Sequence, residues 1–293
     1  MRAGNWQWKL DGIDKETQTF QFGFGGFQDA HGGPVASNYF FAENILEELD
    51  QVSEWYVDRH TRKVYFWPTS SELLDSSSSS TLVVSQLQTV VRMAGTASAP
   101  VTGITLSGFT FAHTTTMFVA EQYSVPSAGD WSVLSRGAVE LDGVQAAEIR
   151  GCSWAQIGGN GVSLSGSVLD SVIADGDFLK VGDSGVVSVG RLPAEAPFDG
   201  SHPQAEFPMN VTIERCHFGQ TGVFGKQTSA LFIAVSKRII FRDNVLYDGP
   251  RAGININDGF GGGHVLQRNV IFNQLLESGD HGEHYHNNPC YRA

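Results

Sequence analysis

The chain has 293 residues and a mass of 31.7 kDa, enough for one large domain or two ordinary ones. Only 17% of it is charged, while glycine reaches 34 residues and phenylalanine 19, a mix that favours strands joined by tight turns over charged surface helices. A net charge of −12 disfavours nucleic acid and anionic membrane as partners, and no run of 18 apolar residues offers a membrane-spanning helix.

In chain order, Met1–Arg2–Ala3–Gly4–Asn5–Trp6 lacks the apolar stretch of a signal peptide. The protein is therefore either intracellular or preceded by a segment outside this sequence, since Trp6 to Leu10 already reads as strand. Glu43 to Leu49 has helical spacing of apolar residues and predicts one short helix. Glu54–Trp55–Tyr56–Val57–Asp58 and Lys63–Val64–Tyr65–Phe66–Trp67–Pro68 predict a β-hairpin around a polar turn. The serine run from Ser76 to Ser80 reads as a solvated linker. Residues 1–80 are thus expected to form a small β-rich subdomain, and residues 81–293 a second region of different texture.

That second region repeats. An apolar residue, four mostly polar or small residues and a large apolar residue recur at Leu106 to Phe111, Ile149 to Trp154, Ile173 to Phe178, Ile213 to Phe218, Ile240 to Val245 and Val265 to Val270. The closing positions lie 43, 24, 40, 27 and 25 residues apart. The two long steps each hold an apparent insertion, Thr114 to Arg136 and Leu192 to Pro208. A period near 25 residues, rich in β-formers and without a helix, leaves the coils of a parallel β-helix as the fold. Val139 to Asp142, Val162 to Ser165 and Ile254 to Asn257 alternate apolar and polar, as strands with one face in the core do. Thr110, Ser153, Asp177, His217, Asn244 and Asn269, each preceding a closing position, are expected to form a polar turn ladder in which Asn adopts left-handed angles. Cys152 and Cys216 fall in the same register two coils apart, nearly 10 Å at the usual strand spacing, which is outside disulfide reach. With Cys290 they make no zinc pattern.

Ligands of solenoids bind along an extended outer face, so equivalent turns of neighbouring coils are the place to look for chemistry. Aligning the turns before the alternating strands puts Asp183, Lys226, Arg251 and Asp280 on one edge. The densest stretch runs from Gly249 to Gly263, where Asn257–Asp258–Gly259 and three further glycines form a bare turn that lets a ligand approach the backbone. Asn255 and Asn257 point outward beside Asp258. Glu140 and Asp142 hold the matching strand positions some coils away, too far for Glu140 to join the same site. Asp258 and Asp280 suit the acid and the base or nucleophile of glycoside hydrolysis. Arg251, Asn255, Asn257 and Lys226 would orient sugar hydroxyls, with Asp183 and His281 alongside. A uronate lyase or epimerase using Lys226, Arg251 and His281 is the alternative chemistry, and a non-catalytic binding solenoid the alternative class. Asp280 to His286 is rich in metal-ligand residues, yet lacks a helical motif and reads as a disordered His-rich end. No cofactor is expected, calcium being the one ion left open. Asn210–Val211–Thr212 matches the N-glycosylation pattern.

Glu43 to Asp50, Glu54 to Asp58 and Tyr65 to Pro68 resemble the opening segment of large right-handed β-helix proteins of the pectate-lyase-like superfamily, some of them similar to glycoside hydrolase family 141. Pro250 to Gly263 and Ser278 to Gly282 resemble the most distinctive part of a subset of these. In those relatives Asp-His-Gly continues into an aromatic, Asn-Ser-Trp-Asp-Arg-like segment and further coils. Here Glu283–His284–Tyr285–His286–Asn287 replaces it, so the chain is expected to be an incomplete or divergent member. The resemblance implies an all-β right-handed parallel β-helix, a polysaccharide or glycan partner, an extracellular location and a monomer.

Overall fold

The structure is a computed structural model that describes residues 5–26, 40–70, 82–117, 131, 133–193, 196, 202–257 and 260–277, and the backbone of 284–286. By packing the chain divides into two units, one of residues 1–33 with 85–293 and one of residues 34–84.

The larger unit is a right-handed parallel β-helix of three sheets. The first sheet stacks Val91–Ala94, Gly137–Gln145, Asn160–Leu169, Val186–Val189, Leu231–Ala234, Ile254–Ile256 and His284–His286. The second stacks Thr105–Ser107, Glu148–Arg150, Val172–Ala174, Thr212–Glu214, Ile240–Arg242 and Val265–Gln267. The third stacks Thr110–Ala112, Ser153–Ile157, Asp177–Val181, His217–Gly219, Val245–Tyr247 and Val270–Phe272. Each coil contributes one strand to each sheet, all in parallel register.

The register explains the repeat and corrects it. Leu106, Ile149, Ile173 and Ile213 lie level with one another, and the next rungs are Phe241 and Leu266. Likewise Phe111, Trp154, Phe178 and Phe218 lead to Leu246 and Ile271. The last two repeats therefore sit one residue later than their spacing predicts, because Ile240–Phe241 and Val245–Leu246 are adjacent apolar pairs in which either member fits the pattern. Inside the coil these closing residues form an aromatic column. Trp154 and Phe178 stack with centroids 4.1 Å apart and planes 4° apart, and Phe178 and Phe218 follow at 4.6 Å.

The left-handed residues of the turn between the second and third sheets are Gly108, Gly151, Asp175, Arg215, Asp243 and Arg268. They precede the predicted ladder positions. Asn244 and Asn269 instead share the rung of Cys216, where Asn244 Oδ1 accepts the Cys216 N–H at 2.9 Å and Asn269 Oδ1 accepts the Asn244 N–H at 3.1 Å. The asparagine ladder exists, but it satisfies backbone amides from inside the turn. On the outside, Arg215 binds Asp175 at 2.7 Å and Arg268 binds Asp243 at 2.6 Å, and each guanidinium holds its carboxyl below the usual carboxylate range. Cys152 and Cys216 are buried free thiols, and burial pushes Cys216 up to about 12.

Trp8–Asp14 and Thr19–Gly25 form an antiparallel hairpin in this unit. Gln7 Nε2 donates to the Phe224 carbonyl at 2.6 Å and the Lys226 N–H donates to Asn5 Oδ1 at 3.1 Å, tying the amino-terminal stretch to the coils. In the smaller unit, Trp55–Asp58 and Lys63–Phe66 pair antiparallel as expected, and Asp58 accepts the His60 and Thr61 N–H groups of the turn. The expected helix is reduced to one 3-10 turn at Leu46–Glu48 with no buried residue, since a short helix without an apolar partner does not propagate. The Ser76 to Ser80 run lies outside the described residues. No helix among the described residues is long and apolar enough to cross a membrane.

Candidate functional site

Strand alternation divides the first sheet into two environments. Val139, Leu141, Val162, Leu164, Val186, Leu231, Ile233 and Ile254 enter the core of the coil, so the residues between them face outward. The outward row Arg92, Glu140, Ser163, Val187, Phe232 and Asn255 runs across the sheet in register. Ordinarily such a row would meet solvent. Here Val187, Val189, Phe232 and Ala234 join Trp131, Val133, Val235, Ala252 and Phe260 in a second buried cluster, with Leu192 and Phe207 packed on it.

Both segments read from sequence as insertions supply that cover. Trp131, Val133 and Leu134 are buried, and the Trp131 ring lies 6.1 Å from Phe232. The second segment is pinned by Arg191, whose guanidinium binds Asp142 through both carboxylate oxygens and Glu206 at 2.8 Å. Three apolar residues among Trp131 to Leu134, in a stretch otherwise typical of a loop, were the available signal that this segment packs.

The polar ends of the row differ. At the early end, Glu140 accepts the Thr89 hydroxyl at 2.7 Å and lies 3.5 Å from Arg136 and 3.7 Å from Arg92. At the late end stand Arg251, Asn255 and Asn257, 0%, 0% and 1% exposed. The Arg251 guanidinium carbon sits 4.2 Å from the Trp131 ring centroid, a cation–π contact between two buried side chains. Neither the Nδ2 nor the Oδ1 of Asn255 has a hydrogen-bond partner among the described residues.

The strand pairing also realigns the turns. Counting back from the level residues Val186, Leu231 and Ile254, Asp183, Thr228 and Arg251 share a position, so Lys226 falls two residues short of it. Lys226 instead pairs with Glu277 at 2.8 Å. Asp183 is buried two coils from Arg251. Burial pushes its carboxyl up to about 7 against the opposing hydrogen bonds of Thr228 and Ser184. Asn160 bridges the same turn, donating to the Leu134 and Arg136 carbonyls and accepting the Ser184 N–H. The structure thus gathers Arg251, Asn255 and Asn257 at one end of one face, with Asp183 in register with Arg251 two coils away and Lys226 two residues out of that register. Asp258, Asp280 and His281 lie outside the described residues. His284–His286, expected as part of a disordered end, pairs as a strand with Ile254–Ile256. The Asn210 carboxamide of the glycosylation pattern is engaged in a turn, donating to Asp170 at 2.8 Å and accepting from Arg238 at 2.7 Å. No group of three or more His, Cys, Asp or Glu side chains suited to a metal ion occurs among the described residues.

No known family profile matches the chain, and no curated protein matches it. One solved structure, named "Glycoside hydrolase", superposes with a TM-score of 0.58 at 22% identity, covering 75% of this chain and 41% of that one. The likeness is one of fold. This chain spans about two fifths of that structure's length.

Proposed function

We propose that this chain is a carbohydrate-active β-helix that hydrolyses glycosidic bonds of a polysaccharide or glycan at the late end of the first sheet's outward face. The observation that carries the reading is the burial of Arg251, Asn255 and Asn257 at that end, with Arg251 over the Trp131 ring and Asn255 level with Phe232. Of these, Asn255 has a carboxamide with no hydrogen-bond partner among the described residues, and burial of such a group costs stability unless a ligand supplies the partner. Polar groups beside aromatic rings suit a sugar, which offers hydroxyls at its rim and C–H groups on its faces. Fold-level analogy with the glycoside hydrolase structure points the same way, as an analogy only.

In this reading Asp258, next in the chain after Asn257, and Asp280, four residues before the His284–His286 strand, are the carboxyl pair. One protonates the departing glycosidic oxygen. The other either deprotonates a water that adds to the anomeric carbon, or adds there itself before water releases the sugar. Arg251, Asn255 and Asn257 hold the ring, and a polysaccharide substrate would place the protein outside the cell.

A second reading, a binding solenoid without turnover, is favoured by how completely Arg251 and Asn255 are covered. The two separate on a glycan panel followed by reducing-sugar release and by the absorbance of unsaturated products. Hydrolysis is expected in the wild type, falling by about 10²-fold or more in Asp258→Asn and in Asp280→Asn. Undiminished release in both variants would remove the pair, binding without release would leave the second reading, and unsaturated products would replace hydrolysis by elimination.

A further inference from the structure

The asparagines of this fold are satisfied wherever they serve structure. Asn160 makes three hydrogen bonds to neighbouring turns. Asn244 accepts from Cys216 and donates to the Ile213 carbonyl and Asn269, and Asn269 donates to the Phe241 carbonyl. Polar residues in Asn255's own outward row are satisfied too. Glu140 accepts from Thr89, and Ser163 Oγ donates to the Ser135 carbonyl at 3.0 Å. Asn255 departs from this rule, being 0% exposed with both ends of its carboxamide unpartnered among the described residues.

Leaving those two atoms unmatched costs stability, and the fold does not require it. Val187 and Phe232 occupy the two preceding rungs of the same row, so an apolar side chain is at home there. A buried amide where the row otherwise accepts hydrocarbon, walled by Phe232 and close to the Arg251–Trp131 contact, is a site awaiting its hydrogen-bond partner.

We propose that Asn255 is the anchor for a neutral sugar unit carrying adjacent hydroxyls, its NH2 donating to one hydroxyl and its carbonyl accepting from the next. This rests on the carbohydrate reading above and narrows it. An uncharged amide has one acceptor group and one donor group side by side, which matches a vicinal diol and gives no preference to a carboxylate. Trp131, packed on Phe232 one rung away, is the described side chain that a sugar ring would displace.

The test uses the full chain, methyl glycosides of glucose, galactose, mannose, xylose, fucose and rhamnose with their monodeoxy counterparts, and methyl glucuronide and galacturonide as charged controls. Binding is followed by calorimetry, and Tm is measured without ligand. At least one neutral glycoside is expected to bind the wild type, with the matching deoxy sugar weaker by about tenfold. Asn255→Leu is expected to keep or raise Tm, since it removes unmatched polar atoms, while weakening the same glycoside by about tenfold or more. Asn255→Gln, which keeps the amide, is expected to retain part of the affinity. Unchanged binding in Asn255→Leu, or a Tm lowered by it, would overturn the inference and leave the carbohydrate reading standing. Binding of the uronides alone would do the same. A wild type that binds none of these sugars, and neither binds nor cleaves any glycan of the panel, would sink both.

Discussion

Asp183, which is buried, and His264, which is half-buried, are titratable side chains with opposite effects on stability. Burial raises Asp183 from 3.8 to about 7, so the folded protein holds this proton over a range in which the unfolded chain has released it. Its contribution is complete below pH 3.8 and is lost as pH rises through 7. Burial lowers His264 from 6.5 to about 4, and its Nδ1 accepts the Ile239 N–H at 3.2 Å, which requires that nitrogen to be unprotonated. Its contribution is complete above pH 6.5 and is lost as pH falls through 4. Between about pH 4 and 6.5 the two slopes oppose each other, each worth on the order of 3 to 4 kcal/mol across its full window. Relative to the wild type, Asp183→Asn is expected to gain Tm progressively from pH 4 to 7. His264→Asn is expected to gain Tm progressively as pH falls from 6.5 to 4. Thermal unfolding across this range decides it, and difference curves without slope would show that neither group titrates as its surroundings dictate.

At the scale of the element, the coil is held by its turns as much as by its strands. Non-glycine residues take left-handed angles in successive coils at Asp170, Asn210 and Arg238, and again at Asp175, Arg215, Asp243 and Arg268. Their side chains bridge from coil to coil and offset the local strain. Inside the turn, Asn244 is fully buried and joins three coils through Cys216, Ile213 and Asn269. Replacing it with alanine strands the Cys216 N–H and is expected to cost about 2–3 kcal/mol, a Tm loss of several degrees. Exposed Asn273, which makes one bond to Asp248, is expected to change Tm by less than a degree or so when replaced. Equal losses in the two variants would contradict this account of the ladder. Sequence spacing revealed the coils because, outside the two insertions, apolar residues recur every 24 to 28 positions, and it slipped by one residue where Ile240–Phe241 and Val245–Leu246 offered two equally apolar candidates. It read the Trp131 segment only as an insertion, because spacing along the chain carries no information about which surface an inserted segment covers.

Over the whole molecule, the all-β solenoid was legible because each coil repeats the same physical requirement: an inward apolar residue in each sheet and a left-handed turn between sheets. The site was legible only in part. Arg251, Asn255 and Asn257 do gather at one end of the first sheet, and Asp183 shares the register of Arg251 two coils away, whereas Lys226 was aligned with them by a turn comparison that ignored the unequal loop before Thr228. Burial of the polar group was not foreseeable either, since outward positions of a solenoid strand meet solvent unless a later-packed segment covers them. The central claim is that a glycan is handled on this covered face. Diffraction from crystals soaked with a glycan that the protein binds or cleaves tests it most directly. The expected result is sugar density at the late end of the first sheet, with a hydroxyl within hydrogen-bond distance of Asn255 and with Trp131 displaced. Sugar density confined to the outer faces of the second or third sheet, with Asn255 still covered, would contradict it.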